Sequence, residues 1–185
     1  MHDAADVTAL VLAGGRSERF GRDKALAELG GLPFIALVHT AVSAWAERTL
    51  VATGAEPRRY PIPAEIVLDP APDAGPLGGL IAGLDAAETP WLLAAAVDLP
   101  YLTPAALRPL LDADADGADV VVAVDGGGRR HPACALWRVR TAAPAARENL
   151  RAGRLALHAL LDRLAVREAV VEGGALHNVN RPDDL

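Results

Sequence analysis

Residues 10–26, Leu10-Val11-Leu12-Ala13-Gly14-Gly15-Arg16-Ser17-Glu18-Arg19-Phe20-Gly21-Arg22-Asp23-Lys24-Ala25-Leu26, bring together the types that hold an anion. The apolar run at 8–12 reads as a buried strand. Gly14 and Gly15 follow it, and without a Cβ they let backbone N–H groups approach a ligand closely. The loop beyond carries Arg16, Arg19, Arg22 and Lys24 against Glu18 and Asp23, a local positive excess in a chain of net charge -6. Such a reversal suits phosphates. Of the 18 basic residues, Lys24 is the single lysine. Arginine is a planar fork and lysine a compact point charge, so a site that slots one ammonium between phosphate oxygens does not accept the exchange. Only two serines occur, and Ser17 is one of them.

Known phosphate loops fit poorly. The Walker pattern places four residues between its first glycine and Gly-Lys-Ser/Thr, whereas five separate Gly15 from Gly21 and Lys24 stands three further on. The dinucleotide pattern also fails, because no correctly spaced third glycine follows Gly14-Gly15.

Two further constellations could do chemistry. The apolar run 91–97 ends abruptly at Asp98-Leu99-Pro100, and a carboxylate at the end of a central parallel strand sits where open α/β sheets bind ligands. Asp98 is therefore the candidate metal ligand; Thr103 is the better cap for a helix beginning at Pro104. Near the end of the sequence, Asn178 and Asn180 are two of only three asparagines. In an extended segment they project to one side, either to grip a polar ligand or to cap a turn.

The elements that must position these residues follow from alternation of short apolar runs with helix-like segments, the pattern of a parallel sheet covered on both faces. Strands are expected at 8–12, 49–53, 65–68, 91–97, 118–124 and 166–171. Helices are expected over 34–45, from Pro76, from Pro104, and over 142–151 and 156–164. The loop Gly75-Pro76-Leu77-Gly78-Gly79 opens the second helix, whose free N–H groups can meet an anion or a base edge. A glycine-rich turn at 125–130 precedes His131-Pro132 and an apolar run at 133–137.

At 185 residues the chain reads as one domain. No run of 18 apolar residues occurs and the start is acidic, so neither a membrane span nor a signal peptide is expected. The lone Cys134 cannot form an internal disulfide, which suits the cytoplasm, and its apolar neighbours make it a core residue rather than a nucleophile. Net charge -6 argues against nonspecific nucleic-acid binding.

Four stretches together resemble the molybdenum cofactor guanylyltransferase family of nucleotidyltransferases: Leu12 to Lys24, Gly75 to Gly79, Asp98-Leu99-Pro100, and Asn178-Val179-Asn180-Arg181-Pro182. His131-Pro132 adds a weaker fifth. The resemblance implies an α/β, single-domain Rossmann-like nucleotidyltransferase fold over 1–185, with GTP on the N-terminal half and molybdopterin on the C-terminal half. It implies transfer of GMP from GTP to the phosphate of molybdopterin or Mo-molybdopterin, with release of pyrophosphate and Mg²⁺ as cofactor. Carried over by motif, Leu12, Ala13, Gly14, Gly15, Lys24, Asp69, Gly78 and Asp98 would contact GTP, with Asp98 on the metal. Arg19, Lys24 and Asp98 would be catalytic, and Asn178 and Asn180 would hold the pterin apart from the nucleotide. Thr53 stands where the family often has an asparagine, and its hydroxyl would take that place. Relatives usually extend a final helix beyond Pro182-Asp183-Asp184, so part of the pterin side would be less covered here. Other molybdenum cofactor biosynthesis proteins and molybdoenzyme chaperones would be partners, with no nucleic acid and no membrane.

The rival readings are the cytidylyl version of this enzyme and sugar-phosphate or isoprenoid-precursor nucleotidyltransferases. Those usually carry Ala-Ala-Gly where this chain has Ala13-Gly14-Gly15. A non-catalytic pterin-binding chaperone would have lost Lys24 or Asp98, and both are present.

Overall fold

The computed structural model describes residues 2–14, 23–181 and 184. In chain order its elements are β1 (Val7–Leu12), β2 (Glu28–Leu29), β3 (Leu32–Pro33), α1 (Phe34–Ser43), β4 (Arg48–Ala52), β5 (Glu65–Val67), α2 (Gly75–Ala86), β6 (Trp91–Ala96), α3 (Pro104–Asp112), β7 (Val120–Val124), β8 (Arg130–Arg138), α4 (Val139–Arg151), α5 (Leu157–Leu161) and β9 (Val166–Val170). One sheet runs in the order β5-β4-β1-β6-β8-β7-β9, and β2 and β3 form a separate small hairpin. The β5, β4, β1 and β6 neighbours pair in parallel, as do β7 and β9, whereas β8 is antiparallel to both β6 and β7.

Every residue of β1 is buried, as a strand must be when helices cover both faces. Its side chains divide by alternation. Val7, Ala9 and Val11 pack with Phe34, Val38, Leu107 and Leu110 on the α1 and α3 face. Leu10 and Leu12 pack with Leu77, Leu80, Ala142 and Leu160 on the α2, α4 and α5 face. The mostly parallel sheet with helices on both sides is thus as the sequence implied. From β1 the chain winds outward through β4 to β5 and then returns to the opposite side of β1 as β6. That reversal makes the β1/β6 boundary the switch point where such sheets open a crevice.

The run 133–137 is part of the nine-residue β8 and is antiparallel. The short turn before it dictates that direction, because a parallel partner needs a long crossover. Asp125 closes the turn: its Oδ1 accepts from Gly127 N at 2.9 Å and Arg129 N at 3.0 Å. The last expected helix is shorter than its apolar spacing suggests, and α5 ends at Leu161 in turn hydrogen bonds from Arg163 N and Leu164 N. The remaining asparagine, Asn149, is fully buried, and its Oδ1 accepts from Arg154 Nε at 3.0 Å. Thr103 caps α3, accepting from Ala106 N at 3.1 Å. Cys134 is a core residue whose thiol burial pushes up to about 12. Among the described residues no helix is long and apolar enough to cross a membrane.

Close approach of α2 to β1 sets where the helix start meets the sheet edge. A Cβ on Gly83 would lie 2.5 Å from Leu10 Cδ2, inside a fully buried core. Gly83→Ala is therefore expected to destabilise the fold by roughly 1–2 kcal/mol net, overpacking outweighing the helix-propensity gain. Chemical denaturation measures this, and a variant as stable as the parent would show that Leu10 simply turns aside.

Candidate functional site

Backbone hydrogen bonds continue past the strand ends and lace their loops together. Ala13 N donates to Ala52 O at 2.8 Å, Val97 N to Leu12 O at 3.0 Å, Thr53 N to Val67 O at 3.3 Å, and Asp69 N to Gly54 O at 2.9 Å. The resulting rim borders a cleft of ≈ 870 Å³ at the switch point, a volume suited to a nucleotide-sized ligand. Gly14 is fixed by this lacing. A Cβ there would stand 2.7 Å from Gly54 N, so in this chain the missing side chain serves the contact between two loops.

Lys24 enters the cleft from a single 3₁₀ turn, Lys24–Leu26, whose cap is Asp23 accepting from Ala25 N at 3.0 Å. The Lys24 Nζ donates to Asn180 Oδ1 at 2.9 Å and lies 3.8 Å from Asp98 Oδ2. Asp98 is itself held through its backbone, where its O accepts from Val179 N at 2.9 Å. Asp184 organises the end of that segment: its Oδ2 accepts from Asn180 N at 2.7 Å and Arg181 N at 2.8 Å. Burial pushes the Asp98 carboxyl up and is opposed by the Lys24 charge. Burial likewise pushes the Lys24 ammonium down, opposed by Asp98 and Asp184. Desolvation disfavours both charges, and each stabilises the other.

Asn180 lies in the same cluster as Lys24 and Asp98, so residues expected on the pterin side and on the nucleotide side share one hydrogen-bonded group. Val179 between the two asparagines is fully buried and both of them are exposed, which bears out their alternation. It is Asp184, not an asparagine amide, that caps the turn backbone.

Asp69 forms the other end of the cleft, against the start of α2. Its Oδ1 is buried without a hydrogen-bond partner among the described residues. Burial raises its carboxyl to about 6. Gly78 is buried and acts by omission: a Cβ there would meet Asp69 Oδ2 at 2.7 Å, while the neighbouring Gly75, Pro76 and Gly79 line the cleft. Thr53 is fully buried and spends its hydroxyl proton on Glu56 O at 2.7 Å, holding the 53–56 turn.

Of the residues singled out in the sequence, Leu12, Ala13, Gly14, Lys24, Thr53, Asp69, Asp98 and Asn180 line the cleft. Asn178 is exposed and does not line it. Gly15 and Arg19 lie outside the described residues. Sequence reasoning missed Glu56, Arg58 and Asp73, which also line the cleft. They stand in irregular segments, one of them broken by Pro57, Pro61 and Pro63, where no periodicity marks which side faces in.

A half-buried cation, a carboxylate at a strand end and a glycine-lined helix start, gathered at a switch point, define a nucleotide-binding α/β protein equipped for phosphates. The MobA-like NTP transferase domain model matches residues 9–167, and the chain belongs to that family. It is 36% identical to the molybdenum cofactor guanylyltransferase of Cereibacter sphaeroides, across 95% of this chain and 92% of the relative. It is 32% identical to that of Serratia proteamaculans (strain 568), across 100% and 93%. Among solved structures, molybdopterin-guanine dinucleotide biosynthesis protein A from Archaeoglobus fulgidus superposes with TM-score 0.78 at 24% identity, covering 96% of this chain and 94% of that one. The 2-C-methyl-D-erythritol 4-phosphate cytidylyltransferase from Thermus thermophilus shares the fold at TM-score 0.69 and 19% identity, covering 95% and 93%. Family and fold class are those that the motifs resembled.

The Asp69 carboxyl gives a test in stability. Its native pKa lies above the unfolded value, so its contribution is fully present below about pH 4 and lost as pH rises towards about 6. Above that, the native state carries a desolvated charge. Asp69→Asn is expected to raise Tm by roughly 2–6 °C at pH 7.5 and to give no gain near pH 4. A Tm difference that does not change with pH would show that the carboxylate is not desolvated.

Proposed function

We propose that this protein transfers GMP from GTP to the phosphate of molybdopterin or Mo-molybdopterin, yielding the guanine dinucleotide cofactor and pyrophosphate. The observation that carries this reading is the placement of the Lys24 ammonium between Asp98 Oδ2 and Asn180 Oδ1 on the wall of a nucleotide-sized cleft. The near full-length relatives named molybdenum cofactor guanylyltransferase support guanine over the cytidylyl and sugar-phosphate alternatives.

The chemical problem is that both reactants are anions. Two unit charges 4 Å apart repel by about 4 kcal/mol at an effective dielectric near 20. In the transfer, an acceptor phosphate oxygen forms a bond to the α-phosphorus of GTP as the bond from that phosphorus to the bridging oxygen breaks. The electron pair leaves with pyrophosphate. The Lys24 ammonium holds phosphate oxygens and stabilises that departing charge. Asn180, its carbonyl oxygen engaged by Lys24, retains an NH₂ for the acceptor side. Asn178, on the same segment, would extend the pterin contact. At the far end, the unpartnered Asp69 Oδ1 accepts a hydrogen bond from the nucleoside. A protein nucleophile is not needed.

Among the described residues no three carboxylate, imidazole or thiol groups gather into a metal cage. Mg²⁺ does not require one, since one or two carboxylates with substrate phosphates commonly suffice. Asp98 fits, as a hard oxygen donor in the cleft whose charge burial disfavours and a cation would favour. Bound by Asp98, Mg²⁺ would offset charge on the phosphates. Arg19 completes the proposed catalytic set, and Gly15 the proposed GTP contacts. The cytoplasm, which supplies GTP and keeps the free thiol of Cys134 reduced, is the proposed compartment. Other molybdenum cofactor biosynthesis proteins and molybdoenzyme chaperones are the proposed protein partners.

Pyrophosphate release with purified molybdopterin tests the reading. GTP should support turnover well above CTP, and Asp98→Ala should lower it at least about 100-fold in a protein that still folds. Equal use of both nucleotides would contradict the guanine assignment, and undiminished turnover by Asp98→Ala at saturating Mg²⁺ would remove Asp98 from the chemistry.

A further inference from the structure

Arg58 belongs to the wall of the cleft, although it lies 34 positions after Lys24 in an irregular stretch. Its guanidinium is 3.6 Å from Asp23 Oδ2 and its side chain is 39% exposed. The Tyr60 hydroxyl donates to the same Asp23 oxygen at 3.0 Å, and burial beside that carboxylate pushes the phenol up to about 12. The other oxygen of Asp23 caps the turn that begins at Lys24. Arg58 is therefore anchored next to the Lys24 turn, by a pairing too long for a hydrogen bond and partly open to water, which makes it weak and easily re-aimed.

The charge on the cleft wall makes this cation significant. Among the described residues that line it, Glu56, Asp69, Asp73 and Asp98 are acidic and only Lys24 and Arg58 are basic. The Lys24 ammonium already serves both Asp98 and Asn180. A nucleoside triphosphate entering beside these carboxylates brings several negative charges that cations on the wall must meet. An arginine has five N–H donors in a fork that matches phosphate oxygens, and the Asp23 pairing leaves most of them available.

We propose that Arg58 is a phosphate-binding residue for the nucleotide, re-aimed from Asp23 onto the phosphate chain when the nucleotide enters. This rests on the nucleotide reading of the cleft and goes beyond it in naming the cation that the 53–60 wall contributes. Asp23 then has two functions, capping the Lys24 turn and holding Arg58 ready at the rim.

Calorimetric titration of the full chain with GTP, with pyrophosphate and with guanosine tests the assignment. Arg58→Gln should weaken GTP and pyrophosphate at least about tenfold and leave guanosine within twofold, with Arg58→Lys between the two. Tyr60→Phe removes the other side-chain donor to Asp23 while keeping the guanidinium, and should leave the ratio of GTP to guanosine affinity unchanged. Arg58→Gln binding GTP within twofold of the parent would overturn the proposal, as would guanosine affinity falling in step or Tyr60→Phe reproducing the loss. A parent protein that does not bind GTP would instead contradict the nucleotide reading itself.

Discussion

One ammonium joins three distant parts of the chain. Lys24 hydrogen-bonds to Asn180 across 156 positions and pairs with Asp98 at the end of β6. Lys24 and Asp98 are both partly removed from water, so each depends on the other to remain charged. The rest of the molecule can be understood as what keeps these groups in register. The Asp23 cap fixes the start of the Lys24 turn, the Val179–Asp98 backbone bond fixes the C-terminal segment, and Asp184 fixes that segment's own turn.

The sheet supplies the rigid frame. Burial of β1 on both faces locks its direction, and its end delivers Gly14 against Gly54 and Leu12 against Val97. On one side, α2 approaches closely enough that glycines at 78, 79 and 83 face Asp69, Ala52 and Leu10. The helix start and the Asp69 carboxylate thereby form the far wall of the same cleft that Lys24 and Asp98 enter. A strand end, a helix start and a terminal segment thus meet at a switch point, where a parallel sheet leaves room for them.

Much of this was legible in local patterns. The all-apolar strands announced two covered faces, and the abrupt end at Asp98 marked the site. Lys24 stood out because composition had left no other lysine. The direction of β8 was present as two apolar runs around a short glycine turn, a hairpin pattern whose consequence is antiparallel pairing. Contacts between segments far apart in the chain were not legible. No spacing connects Lys24 to Asn180 or Arg58 to Asp23, because such pairs arise only when strand order brings loops to one edge. Thr53 illustrates the converse: it lines the cleft, but no local pattern showed that its hydroxyl proton serves the turn it closes.

The compactness of the shared cation is the central claim, and steady-state transfer by Lys24→Arg, beside Lys24→Ala, tests it most directly. The arginine variant keeps the charge but cannot place one small donor between Asp98 and Asn180, and about 1 Å of misplacement can cost on the order of 100-fold in rate. The expected result is kcat/KM for GTP nearly as low in Lys24→Arg as in Lys24→Ala, with both proteins folded. Turnover by Lys24→Arg within about threefold of the parent would show that charge alone suffices and that the geometry around Lys24 is incidental.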